Sequence, residues 1–294
     1  MKISEVYRSQ PFGLSFELFP PKTSAGLRAL FDHVQALAAH EPAYITCTYG
    51  AGGSTRDKTL EIVESVKQRF HLPVASHLTC VGATRDDLRN YLSEASQRGV
   101  DNIVALRGDP PQGETQFSAV EGGFAHANEL VEFIRSEYPA LGIAVAGYPE
   151  KHQEAPSMEE DLRNLKRKVD AGADAVITQL FYDNVDFLEF QSLCANVGVN
   201  APIIPGLLPV TNLGQIQRIT SLCGARLPAA FVNRLGEKDD AEWQFEVGVE
   251  FAIQQVQELI DHGVPGIHFY VLNKSQATCR VLDAVTLPGN IIKS

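Results

Sequence analysis

The chain has 294 residues, with 25 Lys and Arg against 36 Asp and Glu, a formal net charge of −11 and a pI near 5.2. That balance argues against a nucleic-acid partner, so any phosphate or carboxylate ligand must be met by local basic residues working against the global field. With 44% hydrophobic and 21% charged residues the chain is too apolar for disorder. Its length fits either two domains of roughly 150 residues or one α/β barrel of about 250.

The five cysteines, Cys47, Cys80, Cys194, Cys223 and Cys279, are scattered and never form a C-x-x-C pair. Neither a disulfide framework nor a zinc cage is expected. The first ten residues lack the apolar stretch of a signal peptide, and no segment approaches the roughly 18 apolar residues of a membrane span. A soluble cytoplasmic protein without membrane contact is the expectation.

Eight apolar runs rich in β-branched residues follow one another: Leu14–Phe19, Tyr44–Thr48, Val74–Thr79, Ile103–Leu106, Ile143–Ala146, Ala175–Thr178, Ile203–Leu207 and Ile267–Tyr270. They are nearly continuous in apolar character, as strands covered on both faces are, and helical stretches between them supply right-handed crossovers between parallel strands. Gly99, Gly172 and Gly263 each precede a run and are placed to close a helix in the left-handed conformation. Leu162, Leu165 and Val169 form a core stripe on one helix, with Asp161, Asn164, Arg167 and Lys168 on an adjacent arc. Extra helical material, Leu227–Leu235 and Asp239–His262, lies before the last run. The pattern predicts an α/β fold, a (β/α)8 TIM barrel, as one catalytic domain over residues 1–294.

In such a barrel the active site lies at the C-terminal ends of the strands. Polar residues converge there: Glu17, Thr48, Tyr49, His77, Arg107, Gly108, Asp109, Tyr148, Gln179, Tyr270, Asn273 and Lys274. Glu17 lies inside an apolar strand, where burial raises a carboxyl and makes it a usable proton donor; a carboxylate paired with a structural Arg or Lys is the equal alternative. Asp109 follows a glycine and precedes two prolines, a loop that lets backbone approach a ligand or simply turns. His77 reads by itself as a core histidine, since no second ligand at metal spacing accompanies it. Residues 50–54, Gly-Ala-Gly-Gly-Ser, lack a Rossmann or P-loop pattern, and the Asp161 to Lys168 arc reads as a solvated helix face.

Several ordered motifs resemble the methylenetetrahydrofolate reductase family of the bacterial type. They are Phe16-Glu17-Leu18-Phe19-Pro20-Pro21-Lys22, Thr46-Cys47-Thr48-Tyr49-Gly50-Ala51, His77-Leu78-Thr79-Cys80, Ala105-Leu106-Arg107-Gly108-Asp109, Tyr148-Pro149-Glu150, the run from Lys166 to Asp174, and Ile177-Thr178-Gln179. Pro205-Gly206-Leu207-Leu208-Pro209 and His268-Phe269-Tyr270 extend the likeness. The resemblance implies a flavoprotein barrel in which NAD(P)H reduces FAD, after which 5,10-methylenetetrahydrofolate takes the same face and leaves as 5-methyltetrahydrofolate. It also implies assembly into a homo-oligomer.

Carried over by motif, Glu17 resembles the general acid that opens the bridged ring of the folate. Asp109 resembles the carboxylate near flavin and pterin, and Gln179 the side chain that meets pterin or nicotinamide. The resemblance places FAD against Thr48, Tyr49, Ala51, His77, Arg107, Gly108, Asp109, His126, Tyr148, His152, Ala155, Asp161, Asn164, Arg167 and Lys168, with Arg167 and Lys168 balancing the pyrophosphate. Substrate positions are Glu17, Asp109, Gln179, Leu213, Tyr270 and Lys274. Leu213 stands where the family often has Phe, and Lys274 where Arg is more familiar, so a point charge replaces a bidentate fork. A transferase passing a methyl group from a folate to a corrinoid, and a silent folate- or flavin-binding protein, share parts of this pattern.

Overall fold

The apolar runs form strands because each is buried on both faces, and in a computed structural model they pair in parallel around a barrel. The structure describes residues 1–48, 56–110, 113 and 116–289. The strands are β1 (Gly13–Leu18), β2 (Tyr44–Cys47), β3 (Val74–Thr79), β4 (Asn102–Leu106), β5 (Gly142–Gly147), β6 (Ala175–Thr178), β7 (Ile203–Ile204), β8 (Gly206–Leu207) and β9 (Gly266–Tyr270). The helices are α1 (Ile3–Ser9), α2 (Ser24–Ala38), α3 (Arg56–Phe70), α4 (Arg85–Gln97), α5 (Ala127–Glu137), α6 (Met158–Asp170), α7 (Asn184–Asn196), α8 (Leu213–Cys223), α9 (Ala229–Leu235), α10 (Ala241–Asp261) and α11 (Gln276–Ala284).

The sheet runs β7-β6-β5-β4-β3-β2-β1-β9-β8, every pairing parallel. The expected seventh strand, Ile203–Leu207, is divided at Pro205, which has no N–H to give to a ladder. Its first half pairs with β6 and its second with β9, so the break is where the barrel closes. Gly206 is required there: a Cβ would collide with the Thr178 carbonyl and lie 2.7 Å from the Tyr270 ring.

Gly99, Gly172 and Gly263 adopt φ of +75°, +116° and +75°, as the junction pattern predicts. Helix starts are capped by side chains, Thr84 accepting from Asp87 N at 3.2 Å before α4 and Ser157 from Glu160 N at 3.2 Å before α6.

One element escapes a reading of periodicity. Helix α1 is short, yet Ile3 and Val6 are buried against Tyr44, Ala75, Val104, Ala144 and Ala175, near the starts of the strands. It stoppers the N-terminal end of the barrel. The material before β9 is three helices, and α8, α9 and α10 enclose an apolar cluster of their own around Val210, Ile216, Phe231, Leu235 and Val247. No helix among the described residues is long and apolar enough to cross a membrane.

Candidate active site

Strand alternation in β1 sends Ser15 and Glu17 to the same interior face, and alternation in β9 does the same for His268 and Tyr270. Register sets Ser15 beside His268 and Glu17 beside Tyr270. The result is a carboxylate held among imidazoles. Glu17 Oε2 lies 3.1 Å from His77 Nε2 and 3.5 Å from His268 Nε2, and all three residues are buried. His268 Nδ1 lies 2.9 Å from Ser15 Oγ. Both Nε2 atoms, and Thr46 Oγ1 in the strand beside Glu17, are buried with no hydrogen-bond partner among the described residues. The ionic contacts are close, but they are not aligned as hydrogen bonds.

Burial alone pushes the Glu17 carboxyl upward, but the nearby His77 and His268 imidazoles outweigh it and hold the group at about 2. This corrects the expectation that burial leaves Glu17 a neutral acid. In this arrangement Glu17 is ionised. It belongs to the paired-carboxylate alternative, with histidines as its bases instead of Arg or Lys. His77 is correspondingly more than a core histidine.

The rest of the mouth is built differently. Arg107, just beyond β4, gives two hydrogen bonds of 2.5 and 2.7 Å to Glu154 and lies 5.0 Å from the centre of the Phe117 ring. Asp109 is exposed. Tyr148, just beyond β5, packs edge-on against His152 at 4.6 Å, and burial raises its phenol. His152 donates its backbone N–H to buried Asp161 at 2.9 Å, and burial with nearby Arg107 lowers its imidazole. Ala155 accepts from Lys151 Nζ at 2.5 Å in the same loop.

The four residues expected on a solvated helix face separate. Asn164 and Arg167 are exposed and bonded to each other at 2.7 Å. Asp161 is buried, and Lys168 turns inward, donating to the Ala146 carbonyl at 2.5 Å. Desolvation lowers the Lys168 ammonium to about 8.

Gln179 follows β6 and bends back, its Oε1 accepting from Leu180 N at 2.8 Å. With Tyr148, Glu150, Leu180, Cys223 and Ala225 it lines a narrow cleft between the β5 loop and the segment after α8. Arg226 fastens that segment, binding Glu150 at 2.7 Å and Asp186 at 2.8 Å. A larger hollow of about 320 Å³, lined by His40, Glu41, Leu282 and Leu287 among others, holds none of the predicted site residues.

Tyr270 donates to the Thr178 carbonyl at 2.7 Å. Asn273, with φ of +56°, accepts from Phe19 N at 2.8 Å and donates to Phe19 O at 2.7 Å, which aligns the loop after β9 with the end of β1. Lys274 follows it, exposed. Leu213 opens α8 and packs with the apolar cluster of α8 to α10, and His126 is the exposed N-cap of α5. Thr48 directly follows β2 and its carbonyl accepts from Thr59 at 2.8 Å, while Tyr49, Ala51 and the 50–54 run lie outside the described residues. Among the described residues no His, Cys, Asp and Glu group is arranged to hold a metal ion.

A model of the family Methylenetetrahydrofolate reductase matches residues 2–286. The chain belongs to the methylenetetrahydrofolate reductase family. It is 40% identical over 273 residues to the Escherichia coli 5,10-methylenetetrahydrofolate reductase, covering 92% of this chain and 90% of that one. It is 39% identical over 292 residues to an Arabidopsis thaliana methylenetetrahydrofolate reductase (NADH), covering 96% of this chain and 49% of the relative. The chain thus spans about half the length of the plant relatives it matches.

Among solved structures, a Clostridium thermocellum protein described as binding two copies of 5-methyl-5,6,7,8-tetrahydrofolic acid aligns with TM-score 0.63 at 14% identity, over 97% of this chain and 98% of that one. That likeness supports the fold. Sequence motifs pointed to residues at the strand ends but overlooked Ser15, His268 as a partner of Glu17, and Glu154. The two-residue spacings Ser15 to Glu17 and His268 to Tyr270 inside apolar strands were the available signal for the first two.

Proposed function

We propose that the protein is an FAD-dependent reductase that converts 5,10-methylenetetrahydrofolate to 5-methyltetrahydrofolate with NAD(P)H, working in the cytoplasm as a homo-oligomer. The observation that carries this reading is the buried Glu17 carboxylate between His77 and His268 at a barrel mouth, in a chain of this family. The plant relatives' stated donor makes NADH the first nicotinamide to test.

The residues at the mouth fit a flavin dinucleotide. Lys168 and Arg167 supply positive charge on α6, Arg107 supplies more beyond β4, and His77 Nε2, in ionic contact with Glu17 but without an aligned hydrogen bond, is a polar atom a ligand can engage. Bound FAD would supply the chemistry of accepting a hydride from NAD(P)H and releasing it to the folate.

The chain's own part in the folate step is a proton. Ring opening requires N10 of the folate to be protonated as its bond to the bridging carbon breaks, and Glu17 is the group we assign to deliver that proton. Ionised Glu17 cannot donate, so protonation must be coupled to ligand binding. Burial is the largest single influence on Glu17 and opposes its charge. A ligand that engages His77 weakens the opposing interaction and drives the carboxyl upward into its acid form. Gln179 and Asp109 then position the pterin.

Purified protein should carry, or take up, the yellow flavin spectrum. Anaerobic NADH or NADPH should bleach it, and methylenetetrahydrofolate should restore the colour as 5-methyltetrahydrofolate appears. Protein that stays colourless and inactive after FAD is added overturns the reading. Flavin-free methyl transfer to a corrinoid would fit the transferase instead, and flavin binding with no turnover on any pterin would fit the silent binder.

A further inference from the structure

The chain between α8 and α9 runs as a short strap over the loops that follow β5 and β6. Gly224, with φ of +77°, turns it out of α8, and Pro228 is the N-cap of α9. Cys223, Ala225 and Leu227 rest on the apolar cluster of α8 to α10, which gives the strap a seat. Polar contacts tie its other side to the barrel. Gln153 donates its amide to the Leu222 carbonyl at 2.9 Å. Glu150 accepts from the Arg226 main-chain N–H at 3.1 Å and from Arg226 Nε at 2.7 Å, and Asp186 accepts from Arg226 Nη2 at 2.8 Å.

The partners in this latch differ in exposure. The Arg226 side chain is 74% exposed and that of Glu150 is 9%. Glu150 favours the closed strap, because a nearly buried carboxylate is costly without its cation. Arg226 makes the strap releasable, because a guanidinium already in water gives up little hydration to the pair. Segments tied by a few exposed polar contacts open locally, without unfolding the rest of the chain.

Beneath the strap is the cleft that holds Gln179. Its walls, among them Tyr148, Gln179, Cys223 and Ala225, leave about 10 Å³, room for one water. Sites for small ligands commonly take on the order of 300 Å³ or more. A flat ring therefore cannot pass between Gln179 and the strap while the latch is closed. The Gln179 side chain is closed on itself as well, its Oε1 taken by Leu180 N at 2.8 Å.

We propose that residues 223–226 are a gate over Gln179, and that Arg226, latched to Glu150 and Asp186, sets how often it opens to a pterin or nicotinamide ring. Arg226 is a positioning residue: it acts through the place of the strap. The gate rests on the reading of Gln179 as a substrate contact, while the latch does not.

Hydrogen exchange of the strap amides, followed by NMR at neutral pH and corrected for sequence, reads the latch directly. Arg226→Gln should quicken it by about tenfold or more, since Glu150 loses its cation. Asp186→Asn weakens only the exposed end of the latch and should quicken it by roughly twofold to fivefold. The milder variant gives the same reading should Arg226→Gln fail to fold. Exchange that neither variant quickens overturns the inference.

Stopped-flow binding of NADH and of methylenetetrahydrofolate to the flavin-loaded protein tests the gate. A latch that closes over free and occupied clefts alike acts on rates, so association and release should both rise by about the factor seen in exchange, with Kd nearly unchanged. A merely structural Arg226 would weaken binding and lower the Tm without quickening association. Faster exchange with unmoved association overturns the gate. An unaltered protein that binds neither ring, with exchange moving as expected, would sink the substrate reading of Gln179 and leave the latch standing.

Discussion

The two sides of the barrel mouth handle charge in opposite ways. On the side formed by β9, β1, β2 and β3, one carboxylate is buried among imidazoles and hydroxyls, with no Arg or Lys against it in the described structure. On the side formed by β4, β5 and α6, several cations and carboxylates reach solvent, and Arg107 is paired with half-exposed Glu154. The first arrangement suits control of a proton, because small changes in partners move a buried acid far. The second suits exchange of one anion for another, because exposed pairs hold each other weakly.

The sharpest way to break this comparison is to remove the acid while keeping its shape. Glu17→Gln should slow the folate half-reaction by about 100-fold to 10,000-fold, the usual contribution of a positioned acid, while flavin reduction by NADH stays near its normal rate. Rapid-mixing absorbance at the flavin band measures both. Equal loss in the two halves would make Glu17 a structural residue.

A smaller effect is expected across the mouth. Lys168 faces the Ala146 carbonyl, and its ammonium is lowered to about 8 by burial, so in the ligand-free chain it loses its charge as pH rises through that value. FAD affinity should fall above that pH, and Lys168→Met should weaken FAD binding by roughly tenfold at neutral pH and flatten that dependence. Fluorescence titration of the apoprotein with FAD measures both. The sign for folding is the reverse: a cation with a lowered pKa is destabilising while charged, so the stability of the unaltered protein should gain from Lys168 as pH rises from about 8 towards 10.5.

The barrel was legible because its strands are apolar on both faces and its helix closures carry glycine, signals that are local in the chain. The break at Pro205 was not, since it depends on which neighbour each half-strand meets. Helix α1 was hidden because its two buried side chains, Ile3 and Val6, make too short a pattern to register as periodic. The mouth residues were legible from motif order, which placed Glu17, His77, Arg107, Tyr148 and Gln179 at strand ends. The state of Glu17 was not, because it depends on His268, far away in the chain and brought alongside only by barrel closure. The inward turn of Lys168 is similar: helical spacing gives an arc, while the direction of a long side chain is chosen by the carbonyl it reaches.

The smallest expected effect tests whether paired charges at the mouth hold the place of a ligand's. Arg107 gives both terminal nitrogens to Glu154, whose carboxyl the guanidinium keeps below its ordinary value. An incoming phosphate must displace Glu154 or share the guanidinium with it. Glu154 is about half exposed, so the pair is worth at most about 1 kcal/mol. Glu154→Gln removes the competing charge while preserving the side chain's length, and should tighten FAD binding by roughly twofold to fivefold at low salt. The gain should shrink as salt is added, because screening already weakens the pair in the unaltered protein. Weaker binding in Glu154→Gln would mean that Glu154 holds Arg107 in place for the cofactor, and the exchange model for this side of the mouth would fall.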